Sequence, residues 1–163
     1  MPTELEIERV TSHANVNSIR VLFLEYAESL GFDLCFQNFK QELKELPGEY
    51  VSPKGALFLA TCNGESAGCV ALRQIDNTTC EMKRLYVRLA FRGLGLGRKL
   101  SVRIIHEAIL LGYSTMRLDT VPSMIEAIHL YQKIGFQEIQ PYRPNPIPGA
   151  LYMELNLRNL KLL

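Results

Sequence analysis

Between residues 88 and 100 the chain reads RLAFRGLGLGRKL, with glycines at alternate positions (Gly93, Gly95 and Gly97) followed at once by Arg98 and Lys99. Residues of these types at this spacing can hold an anion. Glycine lets the backbone approach a ligand closely and adopt positive φ. The first turn of a helix offers about four N–H groups without intrahelical partners, at the positive end of its dipole. If a helix opens here, the N–H groups of residues 94 to 98 can cradle a phosphate or pyrophosphate, and Arg98 and Lys99 add charge. The same glycines would equally suit a tight turn that binds nothing.

Two common phosphate-binding patterns do not fit. A P-loop needs G-x-x-x-x-G-K-S/T, and no Ser or Thr follows Lys99 in that register. The dinucleotide fingerprint needs a glycine where Arg98 stands, and it opens the first β-α-β unit of its fold.

The elements around the loop narrow the choice. ELEIERV (4–10) alternates as a half-buried strand does. Ile19, Leu22, Phe23, Tyr26, Ala27 and Leu30 recur at helical spacing, with Gly31 as the stop. Phe36, Phe39, Leu43 and Leu46 mark a second, shorter helix that Pro47 and Gly48 end, and 47–55 is a loop. Three strands follow (56–62, 66–75 and 79–87), joined by the turn segments CNGE and DNTT, so a meander is expected. After the glycine loop come a helix at about 96–111, a strand at 115–121, and a helix carrying Met124, Ala127, Ile128, Tyr131 and Ile134 that stops at Gly135. FQEIQPY and ALYMELNL close the chain as strands on either side of RPNPIPG. The order β-α-α-β-β-β-α-β-α-β-β implies an α/β fold with a mixed sheet and helices on both faces.

Composition sets the outer bounds. A chain of 163 residues with 47% hydrophobic and 21% charged residues is expected to form one domain, 1–163, with a real core. A net charge of +1 without long charge runs opposes an extended nucleic-acid groove. The acidic start MPTELEIERV does not resemble a signal peptide, and no apolar run nears the roughly 20 residues of a membrane span. A soluble, cytoplasmic protein is therefore expected, with Cys35, Cys62, Cys69 and Cys80 as free and mostly buried thiols. These cysteines and His13, His106 and His129 show no metal-ligand spacing, so no metal is expected.

EMKRLYVRLAFRGLGLGRKL resembles the acetyl-CoA-binding motif of the GNAT N-acetyltransferase superfamily. Its Q/R-x-x-G-x-G/A loop is matched by Arg92, Gly93, Leu94, Gly95, Leu96 and Gly97. EAIHLYQKIGF resembles the second family motif through Ala127, Leu130, Tyr131, Gly135 and Phe136. The likeness covers almost the whole chain, and its closing segments resemble a subset whose acceptors are unassigned. Met124 departs from the pattern, because many members carry Asn there.

The resemblance implies a mostly antiparallel sheet and direct attack of an amine on acetyl-CoA in a ternary complex. It assigns the loop 92–97 and Arg98 to the pyrophosphate, and the backbone of Leu85, Tyr86 and Val87 to the pantetheine arm and thioester carbonyl. Tyr131 would protonate the leaving thiolate, and Glu81 would be the base. The acceptor, a small-molecule or peptide amine, would meet Glu25, Tyr26, Asp33, Tyr50 or Tyr142. Other roles stay open: Tyr131 as a core aromatic, Glu81 as an exposed carboxylate paired with a nearby cation, and the protein as a silent CoA-binding module or a user of another acyl-CoA. The resemblance also leaves a homodimer open.

Overall fold

The computed structural model describes residues 2–31, 38–158 and 160. Asp33, Cys35 and Phe36, which the sequence reading places in the acceptor pocket, among the thiols and in the second helix, lie outside the described residues. Among the described residues seven strands form one sheet: β1 (Leu5–Arg9), β2 (Ala56–Cys62), β3 (Glu65–Gln74), β4 (Thr79–Val87), β5 (Thr115–Thr120), β6 (Gln137–Ile139) and β7 (Leu151–Asn156). Their spatial order is β1-β2-β3-β4-β5-β7-β6. Neighbours run antiparallel except for β4 and β5, which are parallel.

Helices cover both faces. On one side, α1 (His13–Leu30) is capped by the Ser12 side chain, which accepts from the Asn15 N–H, and it ends at Gly31 with φ +71°. Its buried stripe of Val16, Ile19, Leu22 and Phe23 packs with Phe39 of α2 (Phe39–Glu45) on Leu57, Leu59, Cys69 and Ala71. On the other side, α3 (Leu96–Leu110) and α4 (Ile125–Ile134) cover Phe58, Val70, Leu72, Cys80, Met82 and Met116. This two-sided cover explains why ALFLATC reads as a continuous apolar run rather than an alternating one. Close packing of α3 also explains Gly68. A Cβ there would stand 2.6 Å from the Tyr86 carbonyl oxygen and 3.2 Å from Leu100 Cδ1.

FQEIQPY contributes a shorter strand than its pattern suggests, because only Gln137–Ile139 pairs with β7. Pro141 and Pro144 follow, and neither can donate to a ladder. The chain instead loops across the sheet through residues 140–150 and returns as β7, between β5 and β6.

Two irregularities open the sheet at its centre. β4 and β5 pair only at Thr79 with Thr115, Cys80 with Met116 and Glu81 with Arg117, although both strands continue. On the opposite edge of β4 the register skips: Cys69 faces Tyr86 but Ala71 faces Lys83, so Arg84 and Leu85 share a single partner position. Arg84 has φ +60°, which identifies the skip as a bulge bought with backbone strain in a non-glycine residue. Beyond Glu81 the two strands part, leaving a seam that runs from Lys83 to Val87.

Candidate active site

The first side of the seam is built from backbone. Leu85, Tyr86 and Val87 line a cleft of about 660 Å³ together with Arg92, Gly93, Gly95, Leu96 and Gly97, and α4 closes it with Met124, Ala127 and Leu130. Their main-chain groups on the β5 side have no ladder partner in that strand, so a ligand running along the cleft could satisfy them. A single 3₁₀ turn at Leu89–Phe91 leads into the loop, and Arg92 Nε donates back to the Val87 carbonyl at 3.0 Å. Gly95 is the N-cap of α3, with φ +79° and no side chain to cap the helix.

The first turn of α3 contains Arg98 but no acidic residue. Cations at the positive end of a helix dipole are unfavourable on their own. Uncapped N–H groups, an αL glycine and basic side chains at one place together suit an anion. Arg98 lies just outside the cleft, in an adjoining groove of about 710 Å³ that it lines with Gly95, Lys99, Arg103 and His106. Leu94 is exposed.

The second side is a small cavity of about 40 Å³, bounded by Leu85 and Met124 (which the cleft shares) and by Tyr26, Lys83, Asp119, Tyr131 and Asn145. Tyr131 is 7% exposed and stands edge-on to Phe136, with ring centres 5.6 Å apart. It therefore packs as part of the core and borders the seam at once. Burial pushes its phenol pKa up, so the hydroxyl keeps its proton at any working pH. Met124 begins α4 without a side-chain cap, and its thioether cannot replace the hydrogen bonds of an amide.

Glu81 pairs with nearby cations, as expected of a strand carboxylate, but not at the surface. It is fully buried rather than an exposed strand carboxylate. Oε1 accepts from Arg73 Nε at 2.8 Å, and Oε2 accepts from the Tyr142 hydroxyl at 2.6 Å and pairs with Arg143. Both oxygens are engaged, so taking a proton from an amine would mean surrendering one of these partners. Through Tyr142 and Arg143, Glu81 ties down the 140–150 segment, where Asn145 makes a parallel tie by donating to Asp119 at 3.1 Å.

The remaining residues expected to meet an acceptor divide in the same way. Tyr26 borders the cavity and stacks edge-on with Tyr86. Glu25 accepts from Arg88 at 2.7 and 2.9 Å, and the Arg88 hydrogen bonds hold its carboxyl below the usual range. Tyr50 is buried against Phe23 and lines a separate groove beside α2.

Two residues that the sequence reading passed over shape this side. Arg84, 4% exposed, makes a bidentate pair with Glu42 of α2 at 2.8 and 3.0 Å and lies against the rings of Tyr26 and Phe39. Lys83, beside it, is 7% exposed. A signal was present in CEMKRLYV. Consecutive strand residues point to opposite faces, and a buried strand has no solvent face for two adjacent cations.

Among the described residues no group of His, Cys, Asp and Glu is arranged to hold a metal, and no helix is long and apolar enough to cross a membrane. Cys62, Cys69 and Cys80 are buried and free.

A parted β4–β5 pair with a bulge thus faces a glycine loop that opens a helix, and similarity to known proteins identifies the family in which this arrangement stands. The acetyltransferase (GNAT) family profile matches residues 16–136, and the chain belongs to that family. An uncharacterised N-acetyltransferase of Schizosaccharomyces pombe is 39% identical over 96% of this chain and 97% of its own. A GNAT-family acetyltransferase from Staphylococcus aureus superposes with a TM-score of 0.80 at 21% identity, covering 95% of this chain and all of that one. The acetyltransferase yncA of Salmonella typhimurium, solved with acetyl-CoA, superposes with a TM-score of 0.66 at 22% identity, covering 95% of each chain.

Proposed function

We propose that this protein moves an acetyl group from acetyl-CoA to a primary amine of a small molecule or peptide, by direct attack in a ternary complex. The observation that carries the reading is the seam: one cleft joins unpaired strand backbone at Leu85–Val87 to the uncapped start of α3. Pyrophosphate would sit on the loop 92–97, with Arg98 alongside, and the pantetheine arm would take the place of the missing strand. Main-chain N–H groups at the bulge would meet the thioester carbonyl as charge develops on its oxygen.

The amine would approach through the cavity side of the seam, close to Tyr131. There a protonated phenol can donate to the departing thiolate. Thiolate release has no need of a metal in this scheme, since the proton supplies the compensating charge.

The experiment is a melting series followed by an acceptor screen. Acetyl-CoA and CoA should both raise the melting temperature, because a ligand that binds only the native state stabilises it by mass action. Free thiol should then appear with at least one amine of a broad panel. No shift at millimolar acetyl-CoA would overturn the reading. A shift without transfer to any amine would make the protein a CoA-binding module.

A further inference from the structure

We propose that Lys83 is the base that takes the proton from the incoming amine. The assignment rests on the acetyl-transfer reading above. Glu81, the carboxylate expected for this task, has both oxygens occupied. Lys83 lies two residues further along the strand, on the same face by strand periodicity, and borders the cavity at the head of the seam with Leu85 and Tyr131.

The surroundings favour a neutral amine there. Burial removes water from the ammonium, and Arg84 on the same strand and Arg73 on β3 place like charges near it. Glu42 from α2 and Asp119 from β5 act in the opposite direction, but each also serves another donor, Arg84 and Asn145 respectively. Glu81 is compensated by Arg73 and Arg143. Tyr26 from α1 and Tyr131 from α4 have raised pKa values and stay neutral. The balance brings Lys83 down to about 7. A lysine tuned to that range is a competent general base at neutral pH.

The protons balance. The acceptor enters as R–NH₃⁺ and gives one proton to the Lys83 amine, so a neutral nitrogen attacks the thioester carbon. When the C–S bond breaks, the Tyr131 hydroxyl protonates the thiolate. In the same step the nitrogen passes its surplus proton to Tyr131, so the phenol relays a proton and no free phenolate persists, and Lys83 releases its own to solvent before the next turnover. The cavity exceeds the roughly 10–15 Å³ that one water needs by this measure, so a relay through water fits.

Two variants test the assignment. Lys83→Arg keeps a cation but cannot be deprotonated. It should bind acetyl-CoA normally and lose about 10²- to 10⁴-fold in kcat/KM at pH 7 to 8. The wild-type rise in activity through pH 7 should vanish, leaving a rate that follows the free-amine fraction of the acceptor. Wild-type kcat/KM, or a retained rise near pH 7, would overturn the proposal.

Lys83→Met needs no acceptor. In the wild type the unfolded chain holds a proton up to about 10.5 that the fold gives up near 7. The cost of burying the charge is therefore complete below pH 7 and is relieved as pH rises across that window. The melting-temperature advantage of Lys83→Met should be largest below pH 7 and close by pH 10.5. A constant difference would mean a charged lysine in the fold and would overturn the proposal. Failure of wild-type acetyl-CoA binding would instead overturn the functional reading on which it rests.

Discussion

The two sides of the seam are built from different materials. The side proposed for the donor is made of main chain: the parted strand, Gly93, Gly95 and Gly97, and the opening turn of α3. The acceptor side is made of side chains tied across long distances. Arg84 reaches Glu42, 42 residues away, Tyr142 reaches Glu81 across 61, and Arg88 reaches Glu25 across 63. Backbone can hold a ligand that never changes, because its groups are the same whatever the sequence. A surface of paired side chains can be altered one pair at a time, which suits the side proposed for the acceptor.

This comparison can be broken at three places. The largest effect is expected for Tyr131→Phe, which keeps the ring against Phe136 and removes only the hydroxyl. Loss of a general acid should lower kcat by about 10²- to 10⁴-fold while acetyl-CoA affinity measured by titration stays constant. Unchanged kcat would return Tyr131 to the core.

Next is Arg84→Met, which takes the bidentate partner from the half-buried Glu42 carboxylate and leaves it Tyr50 and Lys83. Breaking a buried pair in this way costs about 3–5 kcal/mol, to be read by urea unfolding. Adding Glu42→Gln should recover part of the loss. No recovery would show that Arg84 acts through its stacking on Tyr26 and Phe39 instead.

The smallest change in fold is expected for Gly95→Val, since a Cβ there meets no atom within 4 Å. The positive φ should still cost about 1–3 kcal/mol, and the added side chain should abolish the thermal shift with acetyl-CoA. Normal binding by this variant would mean that the loop is only a turn.

The same contrast explains what could be read in advance. Element order, the β2 and β4 boundaries and the glycine loop all came from local signals: periodicity, stop residues and a contiguous motif. The partners of Glu81 did not. Arg73 stands opposite it only because of the β3–β4 register, and Tyr142 and Arg143 reach it only because the 140–150 segment crosses the sheet. The bulge at Arg84 was hidden for another reason. A positive φ is legible when glycine supplies it, as at Gly95, and goes unannounced when an arginine is forced into it by packing and a bidentate partner.

The parting of β4 and β5 also bears on solubility. A strand edge with unpaired amides is ordinarily an invitation to another chain, and proteins blunt such edges with charge, proline or cover. Here the free edge lies inside the sheet, walled by α4 and by the glycine loop. The protein thus keeps a stretch of strand available for pairing and shields it by cover within the sheet, where an outer edge would stand open.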